Sequence, residues 1–327
     1  MNTEADRIAA RHTPVLLERC LDLLAPALDG PHPVVVDATL GMGGHSEGIL
    51  QRFPSAHVIG IDRDPQALRM ARQRLAPFEN RLVTAHTTYN HLLDVLAEQG
   101  LEHVDAVLMD LGVSSYQLDH IERGFSYAHD ALLDMRMDPT SGQSAADFLQ
   151  RASLAEIIGV LRTYGEERFA PAIARAIVQR NQEGHPLTRT SQLAELVKEV
   201  IPAPARRKGG NPSKRTFQAL RVAVNDELKI LADALPQALE AVRVGGRVVV
   251  ESYQSLEDRL VKRAFAAGLT DAAPPEIPIV PEEQRAFLKA LTHGAEQADA
   301  MEQSFNARSA SVRLRAVEKI RNTRKQL

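Results

Sequence analysis

Three times between residues 33 and 99 a short apolar run gives way to a stretch with helical spacing, and a fourth apolar run follows. Residues 33–40 read as a buried strand closed by Gly41-Met42-Gly43-Gly44, and 45–53 as a short helix. Residues 57–62 read as a second strand. Asp64-Pro65 opens the next helix, with proline at a first-turn position, and that helix runs to about residue 76. A third strand over 81–87, a helix over 90–99 and a fourth strand over 104–111 complete the series. Strands alternating with helices of this length imply βαβ units, hence an α/β fold with a mostly parallel sheet and helices on both faces.

After Leu111 the rhythm stops. Residues 112–142 are polar and aperiodic. Residues 144–182 read as helical, with Ser153 and Glu156 spaced as a capping box. A helix is expected over 190–200, and 203–212 is a linker by its Pro, Gly and charge content. The earlier rhythm then returns: a long helix over 216–242, a turn at Gly245-Gly246, a strand over 247–253, a helix over 255–267 and a strand over 311–317. The expected organisation is a discontinuous α/β domain, residues 1–117 and 212–327, with a helical domain, 118–211, inserted into it.

Composition removes several classes. Of 327 residues, 44% are apolar and 25% charged, which is ordinary globular usage. No apolar run is long enough to span a bilayer, and the acidic start has no signal-like stretch, so a cytoplasmic protein without membrane attachment is expected. Cys20 is the only cysteine, which excludes an intrachain disulfide and a CxxC site. The 11 histidines form no HxxxH or HExxH motif, so no metal is expected. The net charge of −3 is uneven. Residues 189–221 carry eight Lys/Arg against two Glu, and 308–327 carry seven against one. Basic segments on an acidic chain suit a polyanion partner, although a solvated loop and a frayed tail would look the same.

Asp37 ends the first strand, just before the glycines, and Asp62 ends the second about 20 residues later. Glycines there allow a sharp turn and close approach of a ligand, and an acid at the second strand end can accept hydrogen bonds from ribose hydroxyls. The third glycine of a dinucleotide fingerprint is replaced by Ser46. A ribose acid without a pyrophosphate loop fits S-adenosylmethionine (SAM). Another nucleotide, or a tight turn with a solvated aspartate, are the competing readings. Tyr89 and Asp110 also fall at expected strand ends, where ligands bind in open parallel sheets.

These residues sit inside longer runs that carry a resemblance. His12-Thr13-Pro14-Val15-Leu16, Gly43-Gly44-His45-Ser46 and Ile61-Asp62-Arg63-Asp64-Pro65 resemble the ribosomal RNA small-subunit methyltransferase H family. So do residues 110–118, Arg123-Gly124-Phe125-Ser126, 133–139, 164–169, 215–221 and 255–259, in order along nearly the whole chain. The resemblance implies a class I SAM-dependent methyltransferase, Rossmann-like, with a helical insertion. It implies methylation of the exocyclic N4 of a cytidine in the decoding region of 16S rRNA, within a small subunit or late assembly intermediate, and leaves a homodimer open. Gly43, Gly44 and His45 then fall on the amino-acid end of SAM, Asp62 on the ribose and Tyr89 beside the adenosine. Asp110 and Gln117 complete the cofactor set. Two stretches depart from the family pattern. Tyr253-Gln254 stands where many members have Phe-His, and Gly-Asn-Pro-Ser-Lys precedes Arg215 where His-Pro-Ala-Thr is expected.

The chemistry sets what else to look for. The cytosine amine is a poor nucleophile, so it must be aligned behind the methyl and offered a hydrogen-bond acceptor. Asp110, or a carbonyl of the loop 111–114, is the candidate. Gln254 can bond a base edge but cannot titrate. Arg206, Arg207, Lys208, Lys214 and Arg215 suit phosphate contacts. The segment Leu133-Asp134-Met135-Arg136-Met137 reads as a loop closing over the site, or else as core. Ser255 fits a helix cap. Two other classes compete: a DNA amino-methyltransferase, whose Pro-Pro-aromatic signature after strand four is here Asp-Leu-Gly-Val, and a non-catalytic RNA-binding module.

Overall fold

The computed structural model describes residues 14–206, 211–273 and 279–322. Arg207 and Lys208 lie outside the described residues, as do His12 and Thr13. The chain forms two compact units: one built from the chain up to Gly112 and again from Leu228 on, the other from Val113–Glu227.

The first unit is built on a seven-stranded sheet. Its strands are β1 (Val34–Asp37), β2 (His57–Asp62), β3 (Leu82–His86), β4 (Val104–Asp110), β5 (Val242–Ser252), β6 (Leu288–Ala290) and β7 (Arg313–Lys319). Their spatial order is β3-β2-β1-β4-β5-β7-β6. The first five run parallel, and β7 lies antiparallel to both β5 and β6. The expected mostly parallel sheet is therefore present.

The two faces explain why the strands read as continuous apolar runs. Successive side chains alternate across a strand. Val36, Ile59, Ile61, Val107, Met109, Val248 and Val250 join Leu92, Leu96, Leu231, Leu235 and Phe265 in one core. Val35, Val58, Ala106, Leu108 and Val249 join Leu21, Leu24, Ile49, Leu68 and Leu75 in another. With both faces covered, no polar alternation is left.

The structure differs from the sequence reading in β5, in the helix expected over 216–242 and in β6, and short helices Ser115–Asp119 and Ala203–Arg206 lie in the expected loop and linker. Gly245-Gly246 is no turn but lies within β5, where the register against β4 slips between Val104 and Ala106. A Cβ on Gly246 would stand 2.8 Å from the Asp105 carbonyl oxygen, so the slip needs a residue without a side chain. The long helix expected over 216–242 is two helices, Lys214–Val224 and Glu227–Ala241. They are separated by Asn225 and by Asp226 in a left-handed conformation (φ 50°). The strand β6 was not expected, because three residues are too few to show a period.

The second unit packs helices Ala145–Arg151, Leu154–Gly165, Ala170–Gln182, Thr190–Val200 and Lys214–Val224 around one core. Ser153 caps its helix with Glu156 as expected. Gly165 lets the last helix approach closely, since a Cβ there would meet the Arg215 carbonyl at 2.6 Å. Residues 113–117 and 212–227 thus group with the helical unit rather than with the sheet.

Leu133, Met135 and Met137 are buried in this core, so the closing-loop reading of that segment gives way to the core reading. Asp134 and Arg136 between them form an ion pair at 2.8 Å. The Asn225 side chain fixes the backbone there. Its Oδ1 accepts from the Met137 N–H at 2.7 Å and its Nδ2 donates to the Met135 carbonyl at 2.8 Å.

Candidate functional site

The carboxyl ends of β1, β2 and β4 carry Asp37, Asp62 and Asp110, all within the first unit. The backbone links them. The Asp110 N–H donates to Thr39 Oγ1 at 2.6 Å, and the Thr39 N–H donates to Asp37 Oδ1 at 3.2 Å. The Gly41 N–H donates to Asp62 Oδ2 at 2.7 Å. The turn after β1 is therefore tied both to the strand that supplies Asp62 and to the strand that supplies Asp110.

Gly41 and Gly43 have φ of 52° and 79°, the left-handed region that side chains disfavour. A Cβ on Gly44 would lie 2.6 Å from Pro14 Cγ. The turn feeds directly into the helix Gly44–Arg52, whose first N–H groups have no partner one turn earlier. Such a terminus favours an anionic group.

Asp62 also accepts from the Asp64 N–H at 2.8 Å. Burial pushes its carboxyl up to about 6, against those two backbone bonds, which lower it. Each carboxylate oxygen can accept more than one hydrogen bond, so the pair retains capacity for ribose hydroxyls. Asp37 is raised by burial as well, with the Ser46 hydroxyl at 2.6 Å working in the other direction.

Asp110 is the more open carboxylate, its side chain 30% exposed. Its Oδ1 accepts from the Tyr253 hydroxyl at 2.8 Å, and its Oδ2 lies 3.7 Å from His45 Nδ1. Burial raises the Asp110 carboxyl, while His45 and the Tyr253 hydroxyl pull it back. Tyr253 is itself held well above the usual phenol value, by burial first and then by the negative Asp110 and Glu251. The His45 ring is buried and turned inward, its Nε2 3.1 Å from the Val15 carbonyl oxygen.

The remaining sequence-predicted residues divide by unit. Tyr89 lies in the turn Tyr89–His91 beyond the end of β3, packed against the core around Leu92. Gln254 belongs to the first unit, and it, rather than Ser255, caps the helix Ser255–Leu269. Its Nε2 donates to Glu257 Oε1 at 2.8 Å. Gln117, Arg206, Lys214 and Arg215 belong to the second unit. Gln117 is buried in a capping box, its Oε1 accepting from the Ser114 N–H at 3.1 Å. Arg206 ends the helix Ala203–Arg206, and Lys214 is exposed at the start of its own helix. Arg215 donates to the Glu166 carbonyl at 3.1 Å.

Sequence reasoning missed Thr39, Cys20 and Glu251, and missed Tyr253 as the partner of Asp110. Only Glu251 left a signal, as a carboxylate inside the apolar run of β5.

The strand order, with a lone antiparallel strand second from one edge, and the acids after β1, β2 and β4 define a class I SAM-dependent methyltransferase fold. The chain belongs to the MraW methylase family, whose model matches residues 9–320. Its cofactor is S-adenosylmethionine. The chain is 58% identical over 323 residues to the Ribosomal RNA small subunit methyltransferase H of Beutenbergia cavernae, covering 99% of this chain and 97% of that one. It is 55% identical to the protein of the same name from Kocuria rhizophila, covering 96% and 95%. Among solved structures, an rRNA methylase from Streptococcus thermophilus aligns over 95% of this chain and 99% of its own at 13% identity, with a TM-score of 0.44.

Proposed function

We propose that this methyltransferase transfers a methyl group from SAM to the exocyclic N4 of a cytidine in the decoding region of 16S rRNA. The substrate is the small ribosomal subunit or a late assembly intermediate, in the cytoplasm. The observation that carries the chemistry is Asp110: a partly open carboxylate at the end of β4, oriented by the Tyr253 hydroxyl at 2.8 Å. The relatives named above are rRNA small-subunit methyltransferases, and they support the choice of RNA.

The residues present fit the cofactor. The left-handed Gly41 and Gly43, and the start of the helix Gly44–Arg52, suit its amino-acid end, and Gly44 and His45 supply N–H groups there. Asp62 takes the ribose hydroxyls, with Tyr89 and Gln117 completing the set. When bound, SAM would supply a methyl group on a positively charged sulfur, which would leave as a neutral thioether as the amine takes the methyl in line.

This chain's own residues then solve the nucleophile problem. Asp110 accepts a hydrogen bond from the amine, so its nitrogen can give up conjugation with the ring. The charge on Asp110 favours the positive charge that develops on that nitrogen. No strong base is needed, since the amine proton becomes acidic once the methyl has arrived. If Asp110 serves the cofactor alone, the backbone carbonyls of residues 111–114 take this role. Gln254 offers an amide to a base edge, and Arg206, Arg207, Lys208, Lys214 and Arg215 grip phosphates.

The test uses small subunits from a strain lacking this gene. Incubation with the protein and SAM, followed by nuclease digestion and mass mapping, should add one methyl to a single decoding-region cytidine, recovered as N4-methylcytidine. Methyl on another atom or another RNA overturns the assignment.

A further inference from the structure

Behind Asp110 three buried side chains meet, of which methyl transfer draws on His45 alone, through its backbone and its ring's pull on Asp110. Glu251, on β5, is 0% exposed, with the Cys20 thiol and the His45 ring beside its carboxylate. His45 Nε2 stands 3.3 Å from Glu251 Oε2 and 3.1 Å from the Val15 carbonyl oxygen. One ring N–H can serve only one of these acceptors. The wholly buried Cys20 completes the group: its Sγ, a His45 ring nitrogen and a Glu251 oxygen all lie within 4.8 Å of one another. A carboxylate, an imidazole nitrogen and a thiol thus meet at one buried spot, with the Val15 carbonyl beside the imidazole.

We propose that Cys20, His45 and Glu251, with the Val15 carbonyl as fourth ligand, form a structural zinc site. A divalent ion there offsets one thiolate and one carboxylate, leaving a neutral cluster suited to burial. Thiolate with imidazole favours zinc over magnesium or calcium, which prefer oxygen alone. Zinc–ligand bonds of about 2.0–2.3 Å in a tetrahedron place neighbouring ligand atoms about 3.3–3.7 Å apart. The spacings of 3.3 Å and 3.1 Å around His45 Nε2 are close to that already. The opposite ring nitrogen faces Asp110 Oδ2 at 3.7 Å, beyond hydrogen-bond distance but on the side where metal-bound histidines commonly have an outer carboxylate. Four protein ligands close the site, so its role is to hold the helix Leu17–Leu24, the helix Gly44–Arg52 and β5 together.

The test is made on full-length protein purified without a metal-affinity tag. Elemental analysis should find about one zinc per chain, and X-ray absorption at the zinc edge should show one sulfur among nitrogen and oxygen neighbours. Cobalt(II) exchanged into the protein should give a thiolate-to-cobalt charge-transfer band that Cys20→Ser abolishes. Glu251→Gln should weaken zinc binding by more than the 10–100-fold typical of an outer-shell partner. Zinc well below stoichiometry in fresh wild-type protein, with no charge-transfer band on adding cobalt(II) to metal-free protein, overturns the proposal. So does an absorption edge with no sulfur neighbour, which needs no variant to fold.

Discussion

The Tyr253 hydroxyl donates to Asp110 Oδ1 at 2.8 Å, joining the ends of β5 and β4 where the reaction is expected. The bond lowers the Asp110 carboxyl against the rise that burial imposes. Tyr253→Phe removes a hydrogen bond to a charged group, worth about 1.5–3 kcal/mol. If that bond serves the transition state, single-turnover methylation should slow roughly 10–100-fold. Loss of the donor raises the Asp110 carboxyl further, so the acid limb of the pH–rate profile should move to higher pH. An unmoved limb would show that Asp110 does not titrate in the rate.

Asp110→Asn keeps the shape of the site but removes its charge. If Asp110 accepts the amine hydrogen bond, single-turnover transfer at saturating SAM should fall by about 10²–10³, the cost of losing one preorganised electrostatic group. If Asp110 only positions the cofactor, the KM for SAM rises and saturated turnover is nearly intact. A wild-type rate at saturation transfers the acceptor role to the carbonyls of residues 111–114.

Asp62 makes SAM binding depend on pH. Its carboxyl sits at about 6 in the folded chain, and only the ionised form accepts from both ribose hydroxyls. Affinity should therefore be full well above pH 6 and fall below it, by up to about tenfold per pH unit. Stability has the opposite sign. The folded value lies above the ordinary 3.8, so this group costs stability as pH rises through that window and relieves it on acidification. Weaker binding at pH 5 is then not unfolding. Calorimetry should show a shallower pH profile for Asp62→Asn, and Asp62→Ala should lose about one to two orders of magnitude in affinity at pH 7.5.

The basic residues should act on RNA alone. Alanine at Arg206, Arg207, Lys208 and Lys214 should weaken RNA binding and flatten its salt dependence, by about 0.7–0.9 in log–log slope for each phosphate no longer neutralised. SAM affinity should be unchanged. An unaltered slope returns the run to a solvated surface.

Asn225→Ala tests the core of the helical unit. It strands the buried Met137 N–H and Met135 carbonyl that the amide now serves. Unsatisfied buried groups cost about 1–3 kcal/mol each, so for these two a loss of roughly 2–6 kcal/mol is expected. Scanning calorimetry should register it in whichever transition reports the helical unit.

Much of this arrangement is legible from local pattern. The bounds of β2 and of the helix Thr190–Val200 follow from periodicity and punctuation alone. Asp37, Asp62 and Asp110 sit at strand ends because that is where apolar runs stop. What escaped has long-range causes. The break at Asn225-Asp226 carries only the weak local signal of an Asn-Asp pair, while the partners that fix it lie in residues 135–137. Gln254 overrides Ser255 as cap through Glu257, a pairing the usual Ser/Thr preference conceals. Cys20, His45 and Glu251 come from three separate elements, so no ligand spacing announces them.

The position of β7 fixes an order of assembly during synthesis. A chain emerging from its N-terminus can pair β1 to β4 early, but β5 follows only after the entire helical unit has been made. β6 then emerges before β7, its one sheet neighbour among the described residues. Until Arg313–Lys319 slides between them, β5 presents an open edge of Val248, Val249 and Val250 to other chains. The nascent protein is most prone to aggregate in that interval, and substitutions that slow the insertion of β7 should reduce soluble yield more than they reduce the stability of the finished fold.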